Sequence, residues 1–277
     1  MAIFVCFTTR AIHIEAVSDL STAAFIAALR RFIARRGLCN TIISDNATNF
    51  VGAKNELAEL YRLFKTEVHQ EQLQQLCQAN RITWRTIPPK SPHFGGLWEA
   101  AVKQAKYHLV RVVANATLSF EELATITAQI EAILNSRPLT PISSDPSDLE
   151  ALTPGHFLIG EPPSSFPEPD LTDANYNRLS RFRRLKQRQQ HFWRRWSRDY
   201  LHLLQQRHKW TSKAPTLQLN TLVLIQDENL PPYKWPLGRV LSTIPGRDGV
   251  HRVAEIKTQY RIYKRAIVKL YPLPIDD

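Results

Sequence analysis

Asp45 follows two isoleucines in IISDNATNF (42–50), so it stands where a short β-branched run ends. A carboxylate at the end of a parallel strand lies where open α/β sheets place reactive groups, and it is an oxygen donor of the kind hard divalent cations take. The plainer reading is a turn, because Asp-Asn after a strand closes on its own backbone through side-chain hydrogen bonds. Glu99 enters in PPKSPHFGGLWEAAVKQAK (88–106), in the first turn of a helix behind a Gly-Gly pair. Lys103 and Lys106 follow at four and seven positions, on the same helix face. A carboxylate with two ammonium groups on one face suits a metal beside a phosphate backbone. Helix-dipole pairing and surface salt bridging account for the same residues without either.

The elements that must position these groups follow from periodicity. AIFVCFT (2–8) and AIHIEAV (11–17) are short β-branched runs that predict a hairpin. In the second, Ile12, Ile14 and Ala16 face one way and His13 and Glu15 the other. STAAFIAALRRFIARRG predicts a helix capped by Ser21 or Thr22, striped by Phe25, Leu29, Phe32 and Ile33, and ended by Gly37. TIIS (41–44) reads as a buried strand and ITWRTIPP (82–89) as a strand stopped by its prolines. NELAELYRLF is helical, a long helix runs from about Leu97 to Val113, and Ser119 with Glu122 predicts a capping box at the next helix. This order is an α/β layer pattern. Residues from Pro138 to Thr172 are proline-rich and read as an ordered connector outside the core.

Charge is concentrated in one segment. Between Arg178 and Lys213 lie twelve Lys and Arg residues and a single acid, Asp199. Removing those twelve from 36 and that one from 25 leaves 24 of each sign, so the whole +11 sits there. Leu179, Phe182, Leu185, Trp193, Trp196, Tyr200 and Leu203 recur at helical spacing in the same segment, which predicts one long amphipathic helix with its aromatics on a buried stripe. The unbalanced cations suit phosphate contact, whose affinity falls with salt as counterions are released. Trp193, Trp196 and Trp210 stacking on bases is the weaker alternative to burial. Beyond Ala214, TLVLI, GRVLSTI, VHRVAEIK and YRIYKRAIVKLY are short strands, with GRDG as a hairpin turn, and predict a small β-barrel or sandwich.

Composition narrows the classes. A chain of 277 residues, 43% hydrophobic and 22% charged, has the make-up of a globular protein of about two domains. No apolar run approaches the ~20 residues of a membrane-spanning helix. Three widely spaced cysteines and nine unclustered histidines carry neither disulfide nor zinc-finger spacing and fit a reducing compartment.

The runs SDNATNF (44–50), PPKSPHFGGLWEAAVKQAK and NSRPLTPISSDPSDLEALTPGHFLIG (135–160) closely resemble the integrase region of BEL/Pao-type LTR retrotransposon polyproteins. WPLGRV (235–240) and GRDGVHRV (246–253) resemble the domain that follows that core, so the resemblance covers nearly the whole chain. It implies an α/β fold: a ribonuclease-H-like integrase core lacking its first strand, then a long basic helix and a small C-terminal β-barrel. The implied domains are the catalytic core over 1–140, the proline-rich connector over 141–177, the basic amphipathic helix over 178–213 and an SH3-like barrel over 214–277.

In such integrases two aspartates and a glutamate hold two divalent ions, Mg²⁺ or Mn²⁺, which activate an attacking oxygen and stabilise the leaving one. Asp45 matches the second aspartate and Glu99 the glutamate, as catalytic residues and metal ligands. Gly95 and Gly96 match the mobile loop before the catalytic helix. The first aspartate has no match: the sequence begins at Met1 within the strand that follows it, and neither Glu15 nor Asp19 takes its place. The expectation is therefore DNA integration chemistry impaired in this chain, with insolubility where the missing central strand leaves edges open. The alternative is a non-catalytic nucleic-acid-binding protein derived from a retrotransposon. A ribonuclease H is a weaker third reading. The expected DNA contacts are Lys103, Lys106, Arg181, Arg183, Arg184, Lys186, Arg188, Arg194 and Arg195. DNA and a second copy of the chain are the implied partners, membrane is not, and the nucleus is the implied location.

Overall fold

Two short apolar runs form the first hairpin. β1 (Ala2–Val5) pairs antiparallel with β2 (Ile12–Glu15), in register from Ala2↔Glu15 to Val5↔Ile12. Arg10 turns the chain at a φ of 57°, with its amide bonded to the Cys6 carbonyl. The computed structural model describes residues 1–19, 21–44, 83–86, 106–113, 117–204, 217–227, 230–247 and 249–274. The chain divides into two compact units, residues 1–103 with 117–128, and residues 104–116 with 129–277.

In the first unit, α1 (Thr22–Arg36) begins at Ser21, whose hydroxyl accepts from the Ala24 amide at 3.2 Å. It ends at Gly37, whose φ of 85° suits glycine and whose amide returns to the Ile33 carbonyl. Both faces of β2 are buried: Ile12 and Ile14 on one, His13 and Glu15 on the other. The polar side is tolerated because α1 supplies its counter-charges. Arg31 Nε donates to Glu15 at 2.6 Å, Arg35 at 3.0 Å, and His13 Nε2 lies 2.9 Å away. A buried carboxylate needs such saturation, since desolvation would otherwise favour its neutral form. Phe4 stacks on Phe32 beside this network, with centroids 4.4 Å apart.

β3 (Thr41–Ser44) pairs parallel with β4 (Thr83–Thr86), from Thr41↔Thr83 to Ser44↔Thr86. The apolar run predicted a buried strand, yet Ile43 is 40% exposed. The cause is local: among the described residues β3 and β4 form a two-stranded ladder of their own, as do β1 and β2, with no strand joining the two. The predicted helix NELAELYRLF, most of the helix from Leu97, and Asp45 lie outside the described residues.

The second unit contains helix α2 (106–113), which buries His108, Leu109 and Val112, and the C-terminal half of α3 (Phe120–Asn135), where Ile130, Ile133 and Leu134 are buried. The predicted capping box is present: Ser119 N donates to Glu122 at 2.8 Å and Glu122 N to the Ser119 hydroxyl at 3.2 Å. The proline-rich connector holds a short ladder, β5 (Thr140–Pro141) with β6 (Ala151–Leu152), and the single-turn α4 (His156–Ile159). Contrary to the sequence reading, it contributes to the core. Ala151 joins Leu201, Leu222, Leu224, Tyr271 and Leu273 in one apolar cluster.

A 3₁₀ turn (Tyr176–Arg178) precedes α5 (Arg181–Leu204). β7 (Leu222–Ile225), β8 (Leu237–Pro245), β9 (His251–Lys257), β10 (Ile262–Ala266) and β11 (Leu270–Pro272) then form an antiparallel sheet in the order β10-β9-β8-β7-β11. The chain reverses between β8 and β9 as predicted, with Gly249 at a φ of 75° and the Gly246 amide bonded to the Val250 carbonyl. β7 is buried on both sides. Leu222 and Leu224 belong to the cluster with Leu201 of α5, while Val223 and Ile225 meet Val240, Ala254, Ile256 and Leu270. The pairing of the nine-residue β8 with β9 is irregular at Val240/Ser242 and Ile244/Pro245. Hydrogen bonding leaves β10 and β11 as the ends of the sheet.

Candidate nucleic-acid interface

α5 is helical because straight-chain Arg, Lys, Gln and Leu dominate it and Ser180 caps it, accepting from the Arg183 amide at 3.4 Å. Its buried residues are Leu185, Gln187, Gln189, Gln190, Phe192, Trp193, Trp196 and Leu201. The aromatics dock it onto the sheet. Trp193 meets Trp235 edge to face at 4.8 Å, and Tyr200 meets it at 5.5 Å. The Trp193 indole donates to the Leu230 carbonyl at 3.0 Å, and Trp235 to the Ser136 hydroxyl at 3.1 Å. Trp193 and Trp196 are therefore core residues, as their spacing implied. Phe182 and Leu203, placed on the same stripe by sequence, are 61% and 51% exposed. Each lies in an end turn of the helix, and Phe182 instead carries the Lys186 ammonium 4.6 Å over its ring.

On the helix, Arg184, Arg188, His191, Arg195, Arg198 and His202 follow one another at alternating intervals of four and three. That spacing lines them along one face as a single basic stripe. Arg195, Arg198 and His202, its C-terminal half, are exposed. The N-terminal half is anchored. Arg184 Nε donates to the Tyr176 and Leu179 carbonyls at 3.2 and 3.0 Å, and its guanidinium lies over the Tyr176 ring. Arg188 donates to the Val112 carbonyl and, at 2.8 Å, to the Tyr176 hydroxyl. Both cations hold 3₁₀ and helix ends in place while keeping their charge near the stripe.

The connector supplies the acids that the basic segment lacks. Residues 138–177 contain seven Asp and Glu and no Lys or Arg. Lys186 pairs with Glu168, and Arg194 with Asp170 at 2.9 Å and Asp173 at 3.8 Å. The same strand of connector is fastened by amides: Gln190 Oε1 accepts from the Leu171 amide at 2.8 Å, and Gln187 donates to the Leu171 and Ala174 carbonyls. The Thr172 hydroxyl and amide, and the Arg194 guanidinium, hold the Asp170 carboxyl below its ordinary range. Partial burial, then Arg195 and Arg194, push His191 below the ordinary histidine value, against the weaker pull of Asp173 and Asp170.

Of the predicted DNA contacts, Arg181, Arg183, Arg195 and Lys106 are exposed. Arg184, Lys186, Arg188 and Arg194 are half-buried and engaged within the fold. Sequence reasoning omitted Arg198, His191 and His202 from the interface, although their four-three spacing was the available signal. Asp45, Glu99 and Lys103 lie outside the described residues, as does Trp210. Among the described residues no group of three or more His, Cys, Asp or Glu could hold a metal ion. His108 Nε2 lies 2.8 Å from Asp199, tying α2 to α5. Among the described residues no helix is long and apolar enough to cross a membrane.

Residues 180–273 match the model of a family described as a family of unknown function, DUF5641. The match starts at the cap of α5 and ends after β11, so helix and sheet fall within one family region. No curated protein matches the chain. A solved structure, the cryoEM structure of simian T-cell lymphotropic virus intasome in complex with PP2A regulatory subunit B56 gamma, contains a chain with 13% identity and a TM-score of 0.39, covering 99% of this chain and 72% of that one. That score is too low to define the fold of the whole chain.

Proposed function

We propose that this chain is an integrase-type region of a BEL/Pao-type LTR retrotransposon polyprotein that binds DNA along the basic stripe of α5. The observation that carries the binding is the stripe itself: Arg195, Arg198 and His202 exposed in line with Arg184, Arg188 and His191. Phosphates of one strand would run along it, and each neutralised phosphate would release counterions. The integrase assignment rests on the resemblance of SDNATNF, PPKSPHFGGLWE and the run from Asn135 to Gly160. On that reading Asp45 and Glu99 are carboxylate ligands for Mg²⁺ or Mn²⁺, which would supply Lewis-acid activation of an attacking oxygen. A nuclear location and self-association belong to the same proposal.

The test of binding is a DNA titration of the full chain at several salt concentrations, beside Arg195→Glu/Arg198→Glu. Tight binding with a steep salt dependence that the double variant flattens supports the stripe. Equal binding by the variant removes it. Mg²⁺-dependent strand joining that Asp45→Ala or Glu99→Ala abolishes would assign catalysis. DNA binding that both variants retain, with no joining in the parent chain, favours the non-catalytic DNA-binding alternative.

A further inference from the structure

β10 ends the sheet of the second unit. It pairs with β9 on one side, and among the described residues no strand pairs with the other. The turn before it fixes which backbone groups face that open side. The Thr258 amide donates to the Arg261 carbonyl at 3.0 Å, so these opposed residues form a bonded pair. Bonded and non-bonded pairs alternate along an antiparallel ladder. Tyr263 and Arg265 therefore bond to Ile256 and Ala254 of β9, while Ile262, Lys264 and Ala266 turn their amides and carbonyls outward. Ile262 is 56% exposed and Lys264 is exposed, so solvent reaches this edge.

The edge is regular and firmly held. Its register with β9 runs without a shift from Ile262↔Lys257 to Ala266↔Val253, and Tyr263 packs against the apolar cluster of Val240, Ala254 and Ile256. The same tyrosine ring carries Arg261 Cζ at 5.4 Å and Arg265 Cζ at 5.5 Å, which sets two guanidinium groups along one face of the strand. Residues 256–275 contain five Lys and Arg and no Asp or Glu. Glu255 stands opposite Lys264 on β9, and its carboxylate accepts from the Ser242 hydroxyl at 3.4 Å. Arg265 Nε is buried with no acceptor among the described residues.

These features discriminate between occupants. A phosphodiester backbone accepts hydrogen bonds and donates none, so it would leave the outward carbonyls unmatched. A second copy of β10 would set Arg261, Lys264 and Arg265 against the same cations, which is the arrangement that keeps open edges apart. An extended chain offers donors and acceptors at the strand's own repeat, and acids at alternate positions place carboxylates along the arginine face. We propose that β10 takes up an acidic, extended segment of a partner protein as an added strand. This use does not depend on DNA binding by α5.

The experiment is a titration of the full chain with a blocked eight-residue peptide of alternating glutamate and valine, read by calorimetry and by amide hydrogen exchange in NMR spectra. Saturable one-site binding is expected, with exchange slowed at least tenfold at Ile262, Lys264 and Ala266. Arg261→Glu should weaken the peptide at least threefold. Arg247→Glu, an equal change of charge at an exposed residue of the turn between β8 and β9, should leave it within twofold. The peptide with lysine in place of glutamate should not bind. Equal affinity for the lysine peptide, no saturable binding, or binding that leaves those three amides unprotected overturns the proposal. Protection of the same amides by rising concentration of the chain itself, or by an oligonucleotide where the peptide gives none, overturns it too and assigns the edge to a second copy or to nucleic acid.

Discussion

The guanidinium of Arg194 donates to the Asp170 carboxylate at 2.9 Å, across 24 residues of sequence. This pair joins the most basic segment of the chain to an acidic one, and it sets how much of the charge on α5 is available to an outside anion. Asp170 and Asp173 are largely exposed on the flank of the helix that carries the stripe. They repel a phosphate backbone approaching Arg194 and Arg195.

Asp170→Asn/Asp173→Asn should therefore tighten DNA binding several-fold at low salt, with the gain shrinking as salt rises. Fluorescence anisotropy of a labelled duplex at two ionic strengths reads both effects. Exposed charges separated from the site by more than about 8 Å would be screened at physiological salt, so an equal gain at both would point to a conformational cause instead.

His191 gives the interface a pH dependence. Its pKa is lowered in the folded chain, chiefly by burial and then by Arg195 and Arg194. The folded state thus holds fewer protons than the unfolded one near pH 6. The stability this provides is present above the ordinary histidine value of 6.5 and is lost as pH falls through the lowered folded value. A bound phosphate favours the protonated ring and reverses the shift. DNA affinity should rise between pH 7.5 and 5.5 more steeply for the parent chain than for His191→Asn; parallel profiles would exclude the ring as the source.

Arg239 is 3% exposed and donates to the carbonyls of Asp148, Asn220 and Ser143 at 2.8–2.9 Å. It staples the connector to the sheet, and its charge helps to hold the Asp145 and Asp148 carboxyls below their ordinary range. Arg239→Met should leave three carbonyl acceptors without donors and lower unfolding free energy by about 2–5 kcal/mol, since each buried acceptor left without a donor costs about 1–3 kcal/mol and water recovers part of it. Chemical denaturation measures it, and a loss under about 1 kcal/mol would mean that water replaces the guanidinium.

Gly238 shows the opposite constraint, one of space. A Cβ there would lie 2.4 Å from Ile256 Cγ2 and 3.2 Å from Ile225 Cδ1. Both isoleucines are buried in the cluster inside the sheet, so neither can withdraw. Gly238→Ala should cost about 1–3 kcal/mol through overpacking, seen as a lowered thermal midpoint. Replacing Ile256 by Ala in the same chain should recover part of that loss relative to Ile256→Ala alone.

What depends on neighbours along the chain was legible in the sequence. Ser21, Gly37 and the Ser119–Glu122 box act over three or four residues, Gly246 and Val250 close the turn between β8 and β9, and the four-three spacing of the basic residues is a property of any helix. Burial of Trp193 and Trp196 followed from the same periodicity. Tertiary structure alone decided which cations are engaged. Residues 178–213 contain a single acid, Asp199, yet Glu168, Asp170 and Asp173 arrive from the connector because Gln187 and Gln190 bind its backbone. The exposure of Ile43 and the burial of His13 and Glu15 under two arginines of α1 likewise depend on segments distant in sequence. Local pattern determines which elements form and which faces they offer. Which offered charge meets a partner is settled by chain packing, because an ion pair requires a few ångströms of proximity that sequence spacing does not specify.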